Sequence, residues 1–370
     1  MGLRRVLQDT LGWSTVLVPF IPIAVVLDLA HTSAVAIFFT SALGVIPTAA
    51  AMGKATEELA ARSGPGIGGL LNVTFGNAPE LIIALFALGA GLHEVVKASI
   101  IGSILGNTLL VLGAAMFVGG LGRDRQHFDR TAASAQSSML LLAAAALIMP
   151  AVFELVEGRG LPQPGAEALH YDTKVQTLSA IAACVLIASY AAGLIFSLKT
   201  HRELFNAGHE DHQSNEETWS TRRSVIALAV AGAFVALMSE ILVGSIADAA
   251  ESIGLSEFFI GAIIVAIVGN AAEHWVAVLV ARKDKMDLAV NIAIGSSAQI
   301  ALFVGPILVL TSFFLGPFPM PLVFNGFELA GILLAIIIAN QVTNEGESTW
   351  YEGLQLLAVY VVVAVAFVFA

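Results

Sequence analysis

Charge is scarce in this chain of 370 residues: Asp, Glu, Lys and Arg make up 12%, hydrophobic residues 57%, and the mean hydropathy is +0.86. A soluble body of this length would need far more charge to cover its surface, so the composition excludes one and points to a polytopic membrane protein. Cysteine is almost absent. Cys184 stands alone in an apolar run, which excludes a disulfide framework and a Cys-x-x-Cys metal site. Arg4 and Arg5 lead into a first apolar run that reads as an uncleaved span rather than a signal peptide. His-Glu-x-x-His and other nucleophile–base sets are missing too, which argues against an intramembrane metalloenzyme. The net charge of −11 comes from acidic residues that are scattered or gathered in one loop, and no nucleic-acid partner is expected.

What the chain has in abundance is long apolar runs. Stretches of about 20 residues, enough to cross a bilayer as a helix, fall at 11–30, 33–52, 66–91, 95–119, 133–155 and 175–198. After a polar break they resume at 224–247, 257–281, 287–313, 320–341 and 350–369, which makes eleven. Positive charge tests the count, because Lys and Arg collect on the cytoplasmic side. With the N-terminus inside, inner segments hold Arg4, Arg5, Lys54, Arg62, Arg123, Arg125, Arg130, Lys199, Arg202, Arg222, Arg223, Arg282, Lys283 and Lys285. Outer segments hold only Lys97, Arg159 and Lys174. The expected topology is therefore N-terminus cytoplasmic, C-terminus outside.

The most telling stretch is written twice. Residues 76–80 read Gly-Asn-Ala-Pro-Glu and residues 269–274 read Gly-Asn-Ala-Ala-Glu-His, each inside an apolar run where a carboxylate is expensive and marks a functional site by default. Gly102-Ser103 follows the first copy and Gly295-Ser296 follows the second at the same spacing. One offset of 193 thus maps Glu80 onto Glu273, Ser103 onto Ser296 and Glu58 onto Glu251. Five spans per unit, an odd number, invert the second unit relative to the first. The expected fold is all-α, with about eleven transmembrane helices: two inverted five-helix repeats (33–198 and 224–370), an extra N-terminal span (1–32) and an acidic cytoplasmic linker (199–223). Inverted repeats with broken helices at mid-depth are a transporter architecture.

Asn77 and Glu80 share a helix face, as do Asn270, Glu273 and His274. Gly76 and Pro79, and Gly269 in the second half, weaken the backbone ladder beside them and leave carbonyls free to line a cavity. Two carboxylates, two amide oxygens and some carbonyls form an all-oxygen set that suits Ca²⁺, which takes about 6–8 such ligands. Without a cation, two ionised glutamates crowded in low dielectric cannot easily coexist, so protons compete with Ca²⁺ for the same site. A site occupied by one or the other and exposed alternately is an antiporter. His274 titrates near neutrality when unperturbed, and its counterpart is Leu81.

Other residues keep two readings. His274 is either a packing histidine or a participant in ion or proton handling. Ser103, Ser296, Asn107 and Gln299 either bridge helices or line the cavity. Glu240, deep in the seventh span, reads as a vestibule or gate carboxylate. Lys54, Glu57, Glu58 and Arg62 either pair on the surface or form a cation approach. The linker carries Glu203, Glu210, Asp211, Glu216 and Glu217, interleaved with His201, His209 and His212; it is either a solvated connector or a low-affinity cation sensor.

Two inverted five-span units, each with Gly-Asn-Ala-x-Glu followed by Gly-Ser, resemble the cation/proton exchangers of the calcium/cation antiporter superfamily. The likeness runs most clearly from Leu43 to Phe314; Ala-Thr-Glu at 55–57, the Glu-His pair and the short acidic linker are similar to the proton-coupled branch. Pro79 departs from the family's commoner small or β-branched residue. The resemblance implies Ca²⁺/H⁺ antiport, with Glu80 and Glu273 as central ligands completed by Asn77, Asn270 and nearby carbonyls. It further implies Glu57 on the inner cation path, Ser296 and Gln299 near the second-half site and His274 beside the ligand. No resident cofactor is expected: Ca²⁺ is cargo and H⁺ its counter-ion. Partners would be membrane lipid and a second copy of the chain, and the place a bacterial inner membrane. The rival readings are a Na⁺- or K⁺-coupled exchanger of the same fold and a cation channel.

Overall fold

The computed structural model describes residues 11–165, 171–200 and 219–370. Twelve helices carry the fold: α1 (Gly12–Leu29), α2 (Ala34–Arg62), α3 (Gly64–Gly76), α4 (Ala78–Gly89), α5 (His93–Gly120), α6 (Arg130–Val156), α7 (Thr173–Ile195), α8 (Thr221–Ile253), α9 (Glu257–Arg282), α10 (Met286–Thr311), α11 (Gly326–Thr343) and α12 (Trp350–Val368). Ten of the described helices are long and apolar enough to cross a membrane singly. The bent pair α3–α4 supplies the eleventh crossing.

Helix starts follow local chemistry. Asp129, Asp172, Ser220, Ser256, Asn325 and Thr349 each accept a backbone N–H of the helix they precede, and Asn325–Glu328 and Thr349–Glu352 close reciprocal capping boxes. The Asn325 cap explains one correction. The span expected from residue 320 begins at Gly326, because Pro317, Pro319 and Pro321 cannot continue a helix and residues 320–325 stay non-helical. At the other extreme, α2 runs ten residues beyond the expected end at 52, carrying Lys54, Glu57 and Glu58 on a helical extension.

Packing repeats across the halves. The central contact is α2 against α8, which the 193 offset maps onto each other. Likewise α2–α9 mirrors α8–α4, α5–α12 mirrors α10–α7, and α5–α11 mirrors α10–α6. A pseudo-two-fold relation therefore organises the contacts as well as the sequence. Helix α1 has no mirror partner; it lies on α2 and α8 at the margin. Because lipid is as apolar as leucine, helices associate by close backbone approach at small residues. Gly113 of α5 and Gly353 of α12 meet this way: a Cβ on Gly113 would stand 3.0 Å from the Gly353 carbonyl.

Loops pair as the alternating topology requires. On the basic face, β1 (Gln126–His127) pairs antiparallel with β2 (Glu347–Ser348), Arg125 bonds Glu347, the Asp129 N–H bonds Asp287, and the Trp219 N–H bonds Glu58 at 2.9 Å. On the opposite face the Gly165 N–H donates to Glu94 at 2.7 Å, Arg159 bridges Glu154 and Asp172, and Lys97 donates to the Val323 carbonyl at 2.7 Å.

Candidate functional site

The site is built where the third crossing breaks. Helix α3 stops at Gly76 because the Pro79 ring would clash with the carbonyl one turn back, whereas at the second position of α4 its missing N–H costs nothing. The axis bends by 42° there. Asn77 sits at the hinge, its carbonyl accepting the first bond of α4 from the Leu81 N–H. Its side chain leaves its own helix uncapped and reaches across to the other half. Glu80 follows in the first turn of α4, where the helix N-terminus favours negative charge.

The second copy differs. Ala272 stands where Pro79 stands in the first, no backbone donor is lost, and α9 runs unbroken through Gly269, Asn270 and Glu273. The expectation that Gly269 weakens the backbone ladder and frees carbonyls beside it is thus corrected. A π turn over Ile260–Val265, one turn upstream, is the irregularity this helix carries instead.

Ligand-type side chains cross between the halves reciprocally. Bare Gly269 lets Glu80 approach: a Cβ there would lie 3.2 Å from the Glu80 Cγ. Gly76 receives Glu273 in the same manner, with Oε1 3.6 Å from the corresponding point. The two carboxylates lie within electrostatic reach of each other. Asn77 is 3% exposed; its Nδ2 donates to Gln299 Oε1 at 2.7 Å and its Oδ1 accepts from Ser296 Oγ at 2.9 Å. Asn270 is 1% exposed and donates to Ser103 Oγ at 3.1 Å and to the Ala266 carbonyl at 2.9 Å. Ser296 also donates to Glu273 Oε2 at 3.3 Å. His274 Nε2 lies 3.1 Å from Asn107 Oδ1, a contact whose repeat counterparts, Leu81 and Ile300, are apolar.

Among the two glutamates and two asparagines of the repeated motif, two buried oxygens are left without a protein partner, Glu80 Oε2 and Asn270 Oδ1. Buried acceptors are normally satisfied, so such orphans point to something absent. Glu80 and Ser103 line a small cavity of about 10 Å³ between α4, α5, α9 and α10, with Ser99, Ala266, Ile300 and Val304 around it. Among the described residues no group of three or more His, Cys, Asp or Glu side chains is arranged to hold a metal ion. A cation here would depend on two carboxylates supplemented by amides.

Closure is unequal on the two faces. At the start of α9, Gly261 and Ala262 seat directly on Val95 and Gly102 of α5, where a Cβ on Gly102 would overlap the Ala262 carbonyl. The first-half counterpart of Gly261 is Gly68, and it packs on the Ala60 carbonyl of α2 instead of on α10. Gly295, the counterpart of Gly102, faces the side chains of Asn291 and Gln136.

The remaining expected residues are placed apart from this core. Glu58 pairs with Lys54 at 3.1 Å, and Glu57 is exposed, 3.9 Å from Lys54, yet within electrostatic reach of Glu273. Glu240 is exposed on α8 and is not brought to the site. Glu203, Glu210, Asp211, Glu216 and Glu217 lie outside the described residues. Sequence reasoning passed over Gln136, which is 9% exposed and donates to Asn291 Oδ1 at 2.5 Å beside Gly295. An amide inside each of two apolar spans was the available signal, but neither has a polar repeat counterpart.

Two inverted membrane halves that meet around a pair of buried carboxylates have the architecture of a membrane transporter. The sodium/calcium exchanger protein model matches residues 33–199 and 223–369, one match on each half and neither on α1. The chain belongs to that family. It is 45% identical over 363 residues to a Ca²⁺/H⁺ antiporter of Aphanothece halophytica, covering 95% of this chain and 94% of that one. It is 44% identical over 350 residues to the Ca²⁺/H⁺ antiporter ChaA of Bacillus subtilis, covering 94% and 96%. Among solved structures, native YfkE superposes with a TM-score of 0.81 at 40% identity, over 96% of this chain and all of the other.

Proposed function

We infer that the protein exchanges Ca²⁺ for H⁺ across a membrane by alternating access, with Glu80 and Glu273 taking either the cation or protons. The observation that carries this reading is the reciprocal crossing of the two glutamates, each lodged against the other half's glycine, with orphaned oxygens beside them. One Ca²⁺ satisfies two carboxylates and several neutral oxygens without requiring rigid geometry. When it leaves, the same two charges need protons. Relatives described as Ca²⁺/H⁺ antiporters along nearly the full length support the choice of ions.

Asn77, Asn270 and the backbone around Gly76 complete the ligand set in this reading. Gln299 orients Asn77, and Asn107 orients His274. Glu57 marks the approach from the basic face, which is the cytoplasmic face of a bacterial plasma membrane, with the segment after α12 outside. The unequal glycine packing supports alternating access, since α9 seals one face against α5 while the first-half equivalent leaves α10 free.

The test is Ca²⁺ uptake into proteoliposomes under an imposed pH gradient in Na⁺-free, K⁺-controlled buffer. Uptake that needs the gradient is the expected result. Uptake indifferent to pH and driven by Na⁺ or K⁺ would move the protein to a sister activity, and flux without a counter-gradient would make it a channel.

A further inference from the structure

The two serines related by the repeat make opposite hydrogen bonds. Ser103 and Ser296 are 4% and 7% exposed, and each touches the asparagine of the opposite half. Ser103 accepts. The two amide hydrogens of Asn270 go to Ser103 Oγ and the Ala266 carbonyl, and the second partner can only accept, so the amide cannot be turned over without placing oxygen against oxygen. Its Oδ1 is thereby turned away from both and stays unpartnered, like Glu80 Oε2 on the cavity that Ser103 lines.

Ser296 donates. Its single hydroxyl hydrogen is shared between Asn77 Oδ1 at 2.9 Å and Glu273 Oε2 at 3.3 Å. Both are oxygens a cation would seek, and a hydroxyl hydrogen competes with a cation for them because both present positive charge. For a cation to take these atoms the hydroxyl must rotate, after which its own lone pairs face the ion.

We propose that Ser103 and Ser296 act on cation affinity in opposite senses: Ser103 holds the Asn270 oxygen ready, and Ser296 stands in for the cation when the site is empty. The proposal rests on the reading that this site binds Ca²⁺. Both are positioning residues, and Ser296 additionally stabilises the vacant state. A merely structural role for the pair would make both alanine variants lose affinity together.

Equilibrium Ca²⁺ titration of the purified full-length protein, in Na⁺-free buffer at fixed pH, separates these cases. Ser296→Ala is expected to tighten Ca²⁺ binding and Ser103→Ala to weaken it, each by about fivefold, the usual net value of one hydrogen bond. Ser296→Thr, which keeps the hydroxyl, is expected to bind like the wild type. Shifts of the same sign in both alanine variants, or no shift in Ser296→Ala, would overturn the proposal. If an alanine variant is not monodisperse, the cysteine variant, whose thiol both donates and accepts only weakly, is read in its place with the same signs. A wild type that binds no Ca²⁺ would instead bring down the functional reading, and that failure is visible before any serine is changed.

Discussion

The two halves share a motif and differ in how they hold it. In the first, Pro79 breaks the crossing and frees Asn77 to reach across; in the second, Ala272 lets α9 run through and Asn270 is pinned by its own helix as well as by Ser103. Duplication supplies the ligands in pairs. Divergence around them leaves one amide oxygen engaged and the other free, and one face sealed by glycine packing while its mirror is not.

The largest effects should come from the residues the halves have in common. Glu80→Gln and Glu273→Gln are each expected to abolish gradient-driven Ca²⁺ uptake, since each leaves a single carboxylate for a divalent ion. Survival of either variant at near wild-type rate would show that one half suffices and would break the equivalence.

Exchanging the helix break sharpens the contrast next. Ala272→Pro puts proline inside a continuous helix and should cost about 3 kcal/mol, read as a lowered thermal midpoint in detergent. Pro79→Ala should leave the midpoint nearly unchanged and reduce transport, because α3 and α4 can then join and draw Asn77 away from Gln299. Equal destabilisation by both would mean the break in the first half is incidental.

Smaller still is the expected effect of His274→Leu, which copies Leu81 into the second half. A few-fold loss in rate is expected, with an altered pH profile of uptake, as Asn107 loses its partner. An unchanged profile would return His274 to packing alone.

The smallest effect concerns the bridge between the halves at β1–β2. The Arg125 guanidinium holds the Glu347 carboxyl below its ordinary value. A carboxyl lowered on folding adds stability above its unfolded pKa and loses it as pH falls through the lower, folded value. Glu347→Gln should therefore lower the thermal midpoint slightly near pH 7 and not at all in strong acid, and high salt should mask the difference because the pair is exposed.

Much of this architecture was legible in the residues, for identifiable reasons. Scarce charge fixed the membrane class, and Lys/Arg counts fixed an alternation that the loop contacts follow. A single offset led to Glu80, Glu273, Asn77, Asn270, Ser103 and Ser296, all of which meet in space. That search sees only what the halves share. It was blind to Gln136 and Asn291, whose counterparts are apolar, and it gave Gly269 the same weakened ladder as Gly76. Proline, not glycine, decides the break. The start of α11 was misplaced because hydropathy runs on through Met320–Phe324, where the flanking prolines and the Asn325 cap prevail.

The meeting of Gly113 with Gly353 carries a consequence for biosynthesis. Helix α5 leaves the ribosome with its bare glycine face exposed, and the surface that covers it, on α12, is made about 240 residues later. At ~5–20 residues per second, that gap lasts on the order of ten to fifty seconds. Throughout it the partly inserted chain presents a small-residue groove that any passing helix can occupy. Helix α12 therefore closes over α5 late, and a chain lacking Trp350–Val368 would leave the Gly113 face uncovered.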